Sequence, residues 1–190
     1  VLDNLSFDHD MSVQVFEVTI RLLGGLISAY QLDEDPRFLE LAEDLGRCLL
    51  PAFDSPTGMP YRYVNLKNGD VKGEVSNPAE IGTLLIEFNT LSRLTGDDIF
   101  YNKAKHALTE LFSRRSEIGL VGTQINVETG TWVNTSSHIS GMIDSYYEYL
   151  LKSWKLFGDT ECKEMWEASI GPVNTYLADE TEHELWYGHA

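Results

Sequence analysis

Basic residues are scarce in this sequence, and cysteines scarcer still. Fourteen Lys and Arg stand against thirty Asp and Glu, a net charge of −16. Such a surface repels phosphate backbones and anionic lipid, which argues against a nucleic-acid partner. A neutral substrate such as a sugar meets no such penalty, although solubility alone would also account for the charge. Two cysteines cannot build a disulfide framework. Cys48 and Cys162 both occupy apolar helical positions and read as ordinary buried thiols in preference to a disulfide. No uninterrupted apolar run of about 18 residues occurs, so no membrane contact is expected from this segment, and any signal peptide or anchor would lie upstream of Val1. Also missing are His-Glu-x-x-His, Cys-x-x-Cys, a phosphate-binding glycine loop and a Gly-x-Ser-x-Gly elbow. The acidic turns lack the spacing of a calcium loop, so no metal ligands are assigned within the chain. Two Asn-x-Ser patterns, Asn4-Leu5-Ser6 and Asn134-Thr135-Ser136, match the glycosylation acceptor, a match that often arises by chance.

What is present is a repeat. Three times an apolar helix is followed by a short turn and then by an amphipathic helix. The turns are Leu32-Asp33-Glu34-Asp35-Pro36, Thr95-Gly96-Asp97-Asp98 and Phe157-Gly158-Asp159-Thr160, each with a stop signal or an N-cap carboxylate. Phe38, Leu41, Ala42, Leu45 and Leu49 recur at helical spacing, as do Tyr101, Ala104, Leu108 and Leu111; these mark outer helices. The preceding helices, Val13 to Leu32 and Met142 to Phe157, are apolar nearly all round and are expected to form an inner layer. Long connections at 53–77 and 116–139 are candidate substrate-facing loops, and Gly119 to Val133 around Thr129-Gly130 reads as a small β-hairpin. The fold class is therefore all-α: an α/α toroid of which three helix pairs form a part. The chain opens on Val1 and stops at Tyr187-Gly188-His189-Ala190, and residues 1–190 are expected to be the N-terminal portion of one larger domain.

Charges on apolar helices are costly, so their positions carry information. Glu17, Glu80 and Asp144 are spaced by about one repeat length and are expected near the same mouth of the toroid. Carboxyl groups gathered in one partly dry cavity push each other's pKa values apart, as glycoside hydrolysis requires. An inverting pair would stand ~6.5–9.5 Å apart to admit a water. Each residue also has a structural explanation. Glu17 and Arg21, four apart, could simply pair. Asn77-Pro78-Ala79-Glu80 has the form of a capping box, and Asp144 could complement a helix dipole. Gly24-Gly25 suggests a close backbone approach that offsets a cost of roughly 1 kcal/mol per glycine. Tyr146, Tyr147, Tyr149, Trp154 and Phe157 could stack on sugars, but their spread around the helix favours a core role.

The stretches Phe16 to Leu26, Thr57-Gly58-Met59-Pro60-Tyr61 with Val64-Asn65-Leu66, Glu87-Phe88 with Leu91 to Asp97, and Asp144 to Lys152 resemble the motifs of glycoside hydrolase family 47, in that family's order. An unrelated toroid epimerase or lyase would share the repeat and the carboxylates but not this order. The resemblance implies an (α/α)7 barrel, a calcium ion at its base, and inverting hydrolysis of terminal α-1,2-linked mannose from a mannose-containing glycan. It further implies that Glu17 is the acid, acting through a water, and that Asp144 is a second catalytic carboxylate. Arg21 would neighbour the acid, Glu87 would line the glycan site, and Glu80 would support it. The family's Arg-Pro-Glu segment and the calcium-holding Thr-Glu segment do not occur here and are expected beyond Ala190. Met142 stands where ER-type processing members carry Arg, which implies looser branch selectivity. Arg115 to Gly122, with Thr129-Gly130-Thr131-Trp132, resembles the ER degradation-enhancing branch, so glycan recognition with weak catalysis is the alternative function. Either reading implies the secretory pathway, or a periplasmic or extracellular location in a bacterium.

Overall fold

The computed structural model describes residues 2, 4–180 and 182–190. Its helices fall into two layers. The inner layer holds α1 (Val15–Val18), which runs through a π-helical turn (Thr19–Leu23) into α2 (Gly24–Asp33). It continues with α4 (Pro78–Gly82), α5 (Leu85–Thr95) and α7 (Asp144–Phe157). The outer layer holds α3 (Pro36–Leu49), α6 (Ile99–Ser113) and α8 (Thr160–Tyr176). Each inner helix packs on the outer helix that follows it, and the inner helices touch in succession, α2 on α5 and α5 on α7. This is part of an α/α barrel, the architecture expected from the repeat.

The three inner-to-outer turns share one chemistry. Each inner helix ends on a left-handed residue, Glu34 at φ 59°, Gly96 at 78° and Gly158 at 73°. An aspartate side chain then accepts from an amide at the start of the outer helix, from the N-cap position in α3 and α8 and from the residue before it in α6. Asp35 accepts from the Arg37 amide at 3.0 Å, Asp97 from that of Ile99 at 3.0 Å, and Asp159 from that of Cys162 at 2.9 Å. Each bond satisfies an amide that has no partner within its helix.

Three boundaries and one packing expectation depart from the sequence reading. The first inner helix begins at Val15, because Ser12–Gln14 is drawn into strand β1, which pairs with β2 (Tyr63–Asn65). The second inner helix is broken at Thr83 and Leu84, whose ψ of 50° and φ of −127° leave the helical region. Met142 lies outside the third. Its φ of 76° is left-handed and its carbonyl accepts from the Ala79 amide at 2.8 Å, which holds the turn open until Asp144. Finally, Gly25 meets nothing, and a Cβ on Gly24 would meet only Glu87 Cγ at 3.5 Å, so that pair marks no close approach. Among the helical glycines the tight ones are Gly46, where a Cβ would lie 2.6 Å from Leu91 Cδ2, and Gly82, 2.7 Å from Tyr146 Cδ2.

The long connections are more ordered than expected. Strand β2 also pairs with β3 (Val71–Lys72), giving a three-stranded sheet. The expected hairpin is present as β5 (Gln124–Asn126) and β6 (Trp132–Asn134), but β5 also pairs with β4 (Val75–Ser76) from the earlier connection. A further pair, β7 (Ala178–Glu180) and β8 (Leu185–Tyr187), follows α8. Cys48 and Cys162 are free thiols, the former half-buried and the latter buried. The span Val15–Asp33, with mean hydropathy 1.2, is long and apolar enough to cross a membrane by length and composition, though charges interrupt it; a core helix meets the same description.

Candidate active site

The acidic residues of interest sit on first turns of inner helices: Glu17 on α1, Glu80 on α4 and Asp144 on α7. Because α4 contacts both α1 and α7, these three helix starts lie side by side. Their local surroundings differ. Glu17 accepts a hydrogen bond from Arg21 Nε across the beginning of the π-turn, and both side chains are well exposed, at 40% and 73%. An ion pair this wet adds at most ~1 kcal/mol to stability. It leaves the Glu17 carboxylate held in place yet open to a ligand. Asp144 is also exposed; its Oδ1 accepts from the Ser145 amide at 2.7 Å.

Glu80 is the buried member of the row. Arg62 grips it in a fork, Nε to Oε2 at 2.7 Å and Nη2 to Oε1 at 2.8 Å, and Gln14 Nε2 donates to Oε1 at 3.0 Å. Only half of the expected capping box forms. Asn77 Oδ1 accepts from the Glu80 amide at 3.0 Å, but the Glu80 side chain turns to Arg62 instead of back to Asn77. Glu80 thus ties α4 to the strand that leads into α1, a supporting position for Glu17.

Glu87, on the first turn of α5, lines a groove of about 440 Å³. Gly24, Ile27 and Ser28 of α2 form one wall, Thr90 and Arg93 extend the second, and Leu156 and Phe157 of α7 close the third. Glu87 Oε1 accepts from the Tyr149 hydroxyl at 2.9 Å, while Oε2 is buried without a partner. Burial raises the Glu87 pKa to about 7, against the opposing pull of its hydrogen bonds to its own backbone amide and to Tyr149 and of the Lys152 charge. Burial likewise pushes the Tyr149 phenol up, with the adjacent Glu87 charge adding to the effect. A carboxyl group poised near neutrality inside a concave groove is the usual equipment of a catalytic or binding site.

The groove and the row of helix starts are distinct places. Asp144 lines a separate hollow of about 340 Å³ with Tyr147, Glu148 and Tyr187, and Glu17 lines neither. The structure therefore brings the helix starts together without enclosing Glu17, Glu80 and Asp144 in one hollow. Met142, 48% exposed, is two residues from Asp144 on the approach to α7. Among the described residues no group of three or more His, Cys, Asp or Glu is arranged to hold a metal ion.

Several site residues were not visible as such in the sequence. Tyr149, read there as core or sugar platform, is the partner of Glu87; Arg62 lies in a connection, and Gln14, expected in the first inner helix, lies on β1, so no periodicity links either to Glu80. A signal did exist for Arg62, a lone cation beside strand-like residues, but nothing in the spacing said which carboxylate it would meet. Of the aromatic cluster, Tyr146 is fully buried, as a core role requires.

The model of glycosyl hydrolase family 47 matches residues 1–190. Alpha-mannosidase I MNS5 of Arabidopsis thaliana is 43% identical over 99% of this chain and 34% of its own length. The ER degradation-enhancing alpha-mannosidase-like protein 2 of Mus musculus is 42% identical over 97% of this chain and 34% of its own. Among solved structures, the alpha-1,2-mannosidase from Trichoderma reesei superposes with a TM-score of 0.89 at 28% identity, covering 100% of this chain and 44% of that one. The chain spans about a third of the length of these curated relatives. With its whole length matched by the family model and its fold shared with a solved alpha-1,2-mannosidase, this chain belongs to glycosyl hydrolase family 47.

Proposed function

We propose that residues 1–190 are the N-terminal portion of a mannosidase catalytic domain that releases terminal α-1,2-linked mannose from glycans with inversion. The observation that carries this reading is the placement of Glu17 and Asp144 on the exposed first turns of two inner helices that both contact α4, in a chain of this family. Glu17 acts as the acid through a water, steadied by Arg21. Asp144 is the second carboxylate of the pair's surroundings, and the base is supplied from beyond Ala190. Glu87 contacts the glycan from the groove, Glu80 braces the α4 start, and Met142 borders the Asp144 approach with an apolar side chain that admits more than one glycan branch.

A calcium ion completes the domain in this reading. Among the described residues there is no group of three His, Cys, Asp or Glu to hold it, and in this reading its donors lie in the remainder of the protein. The names of the relatives support a place in the secretory pathway. The full-length protein is expected to release mannose from an α-1,2-mannobioside, with the product anomer inverted by NMR. Glu17→Gln should lower kcat by about 10²–10⁴-fold, the usual worth of a general acid. Unchanged turnover in that variant would remove Glu17 from the mechanism.

A second reading rests on the 42% identity to an ER degradation-enhancing relative: the protein recognises glycans and turns them over slowly. Glycan affinity retained in Glu17→Gln, together with a low kcat in the unsubstituted protein, would favour it.

A further inference from the structure

We propose that Asn134 is an N-glycosylation site of this protein. The inference rests on the secretory reading above. The acceptor pattern Asn134-Thr135-Ser136 falls where the hairpin strand β6 ends, and its geometry is open. Asn134 is exposed, and its Oδ1 accepts from the Ser136 amide at 2.9 Å. This Asx turn brings the side-chain amide and the hydroxyl-bearing residue two positions on to the same side of the chain. Among the described residues neither Asn134 Nδ2 nor Ser136 Oγ makes a hydrogen bond, so the nitrogen that would carry the sugar is not tied to the fold. The backbone is fixed nonetheless, because the Asn134 carbonyl accepts from the Thr123 amide at 3.0 Å. A glycan there would project into solvent without disturbing a packed group.

The surroundings fit such a cover. Strand β6 is the outer strand of the β4-β5-β6 sheet, and Val133 beside Asn134 is 57% exposed. An unprotected edge bearing an apolar side chain invites pairing with another chain, and a bulky hydrophilic group blocks it. The second acceptor pattern is less open. At Asn4-Leu5-Ser6 the hydroxyl at the third position is engaged, with Ser6 Oγ accepting from the Asp8 amide at 3.3 Å, and Asn4 lines a hollow with Leu5 and Phe7.

In the modification the Asn134 carboxamide nitrogen attacks the anomeric carbon of a lipid-pyrophosphate-linked oligosaccharide. A C–N bond forms, the anomeric C–O bond breaks, the nitrogen loses a proton and the lipid pyrophosphate leaves.

The test expresses the full-length protein in secretory eukaryotic cells, with an added C-terminal Asn-Gly-Thr tag as an independent reporter of entry into the lumen. Peptides are then treated with an amidase that converts each glycosylated Asn to Asp, in heavy-oxygen water, and read by mass spectrometry. The expected result is label at Asn134, lost in Ser136→Ala and retained or increased in Ser136→Thr. A glycosylated tag with unlabelled Asn134 would overturn the assignment and leave the secretory reading standing. An unmodified tag together with unlabelled Asn134 would overturn both.

Discussion

At the scale of single residues, Glu87 is the position with the most leverage. Its folded-state pKa of about 7 lies above the ordinary value of 4.5 because of burial. Between those values the folded protein holds a proton that the unfolded chain has released, so stability falls as pH rises through this window and is lowest above it. Full ionisation costs on the order of 3 kcal/mol. Glu87→Gln keeps an acceptor for the Tyr149 hydroxyl and removes that cost. The variant is expected to melt higher than the unsubstituted protein at about pH 8 and to lose most of that advantage at about pH 5, as thermal denaturation would record. Little of this was legible in the sequence. Glu87 could be placed on an inner helix from its apolar neighbours, but its burial depends on Tyr149, 62 residues away. Glu17 and Arg21 were easier, because a spacing of four on one helix nearly dictates their contact.

At the scale of elements, the inner-to-outer turns were the best-read features, since stop signals and aspartate caps act within a few residues. Their differences suggest two measurements. Glu34 adopts the left-handed conformation that Gly96 and Gly158 occupy in the other two turns. Glu34→Gly should therefore raise unfolding free energy by roughly 1 kcal/mol, seen as a shifted urea midpoint with unchanged slope. Asp159 also does more than cap α8. It accepts from Lys105 Nζ at 2.6 Å where both side chains are about nine-tenths buried. Burial opposes the Lys105 charge, but the Asp159 hydrogen bond and the neighbouring Cys162 and Glu161 hold its pKa above the ordinary lysine value. Asp159→Asn keeps the cap but leaves the buried cation only its pair with the more exposed Glu161, at 3.1 Å, which should cost roughly 3 kcal/mol in denaturant titration. The same enclosure pushes the Cys162 thiol up to about 12, so it stays unreactive. Strands were the poorly read elements. Pairs such as Val75 with Asn126 join segments some fifty residues apart, and two-residue strands leave no alternation to detect.

At the scale of the whole molecule, the repeat announced two layers, while the breaks in the inner layer came from contacts that repeat logic does not contain. Chief among them is the π-turn, where the Gly24 amide reaches back five residues to the Thr19 carbonyl and Thr19 Oγ1 is buried without a partner. One surplus residue is accommodated there without ending the helix. The packing of α2 against α3 and α5 consequently does not dictate by ordinary helical phase which way Glu17 points. Removing Ile20 would let the span close into a regular helix and swing everything before it by ~100°, one residue's arc. Such a shortened protein should keep its helical circular dichroism but lose the mannobioside hydrolysis proposed for the full-length protein. The first inner helix thus works like a key whose bit is cut one notch out of line with its shaft, and filing the notch away would leave a key that still enters the lock but no longer turns it.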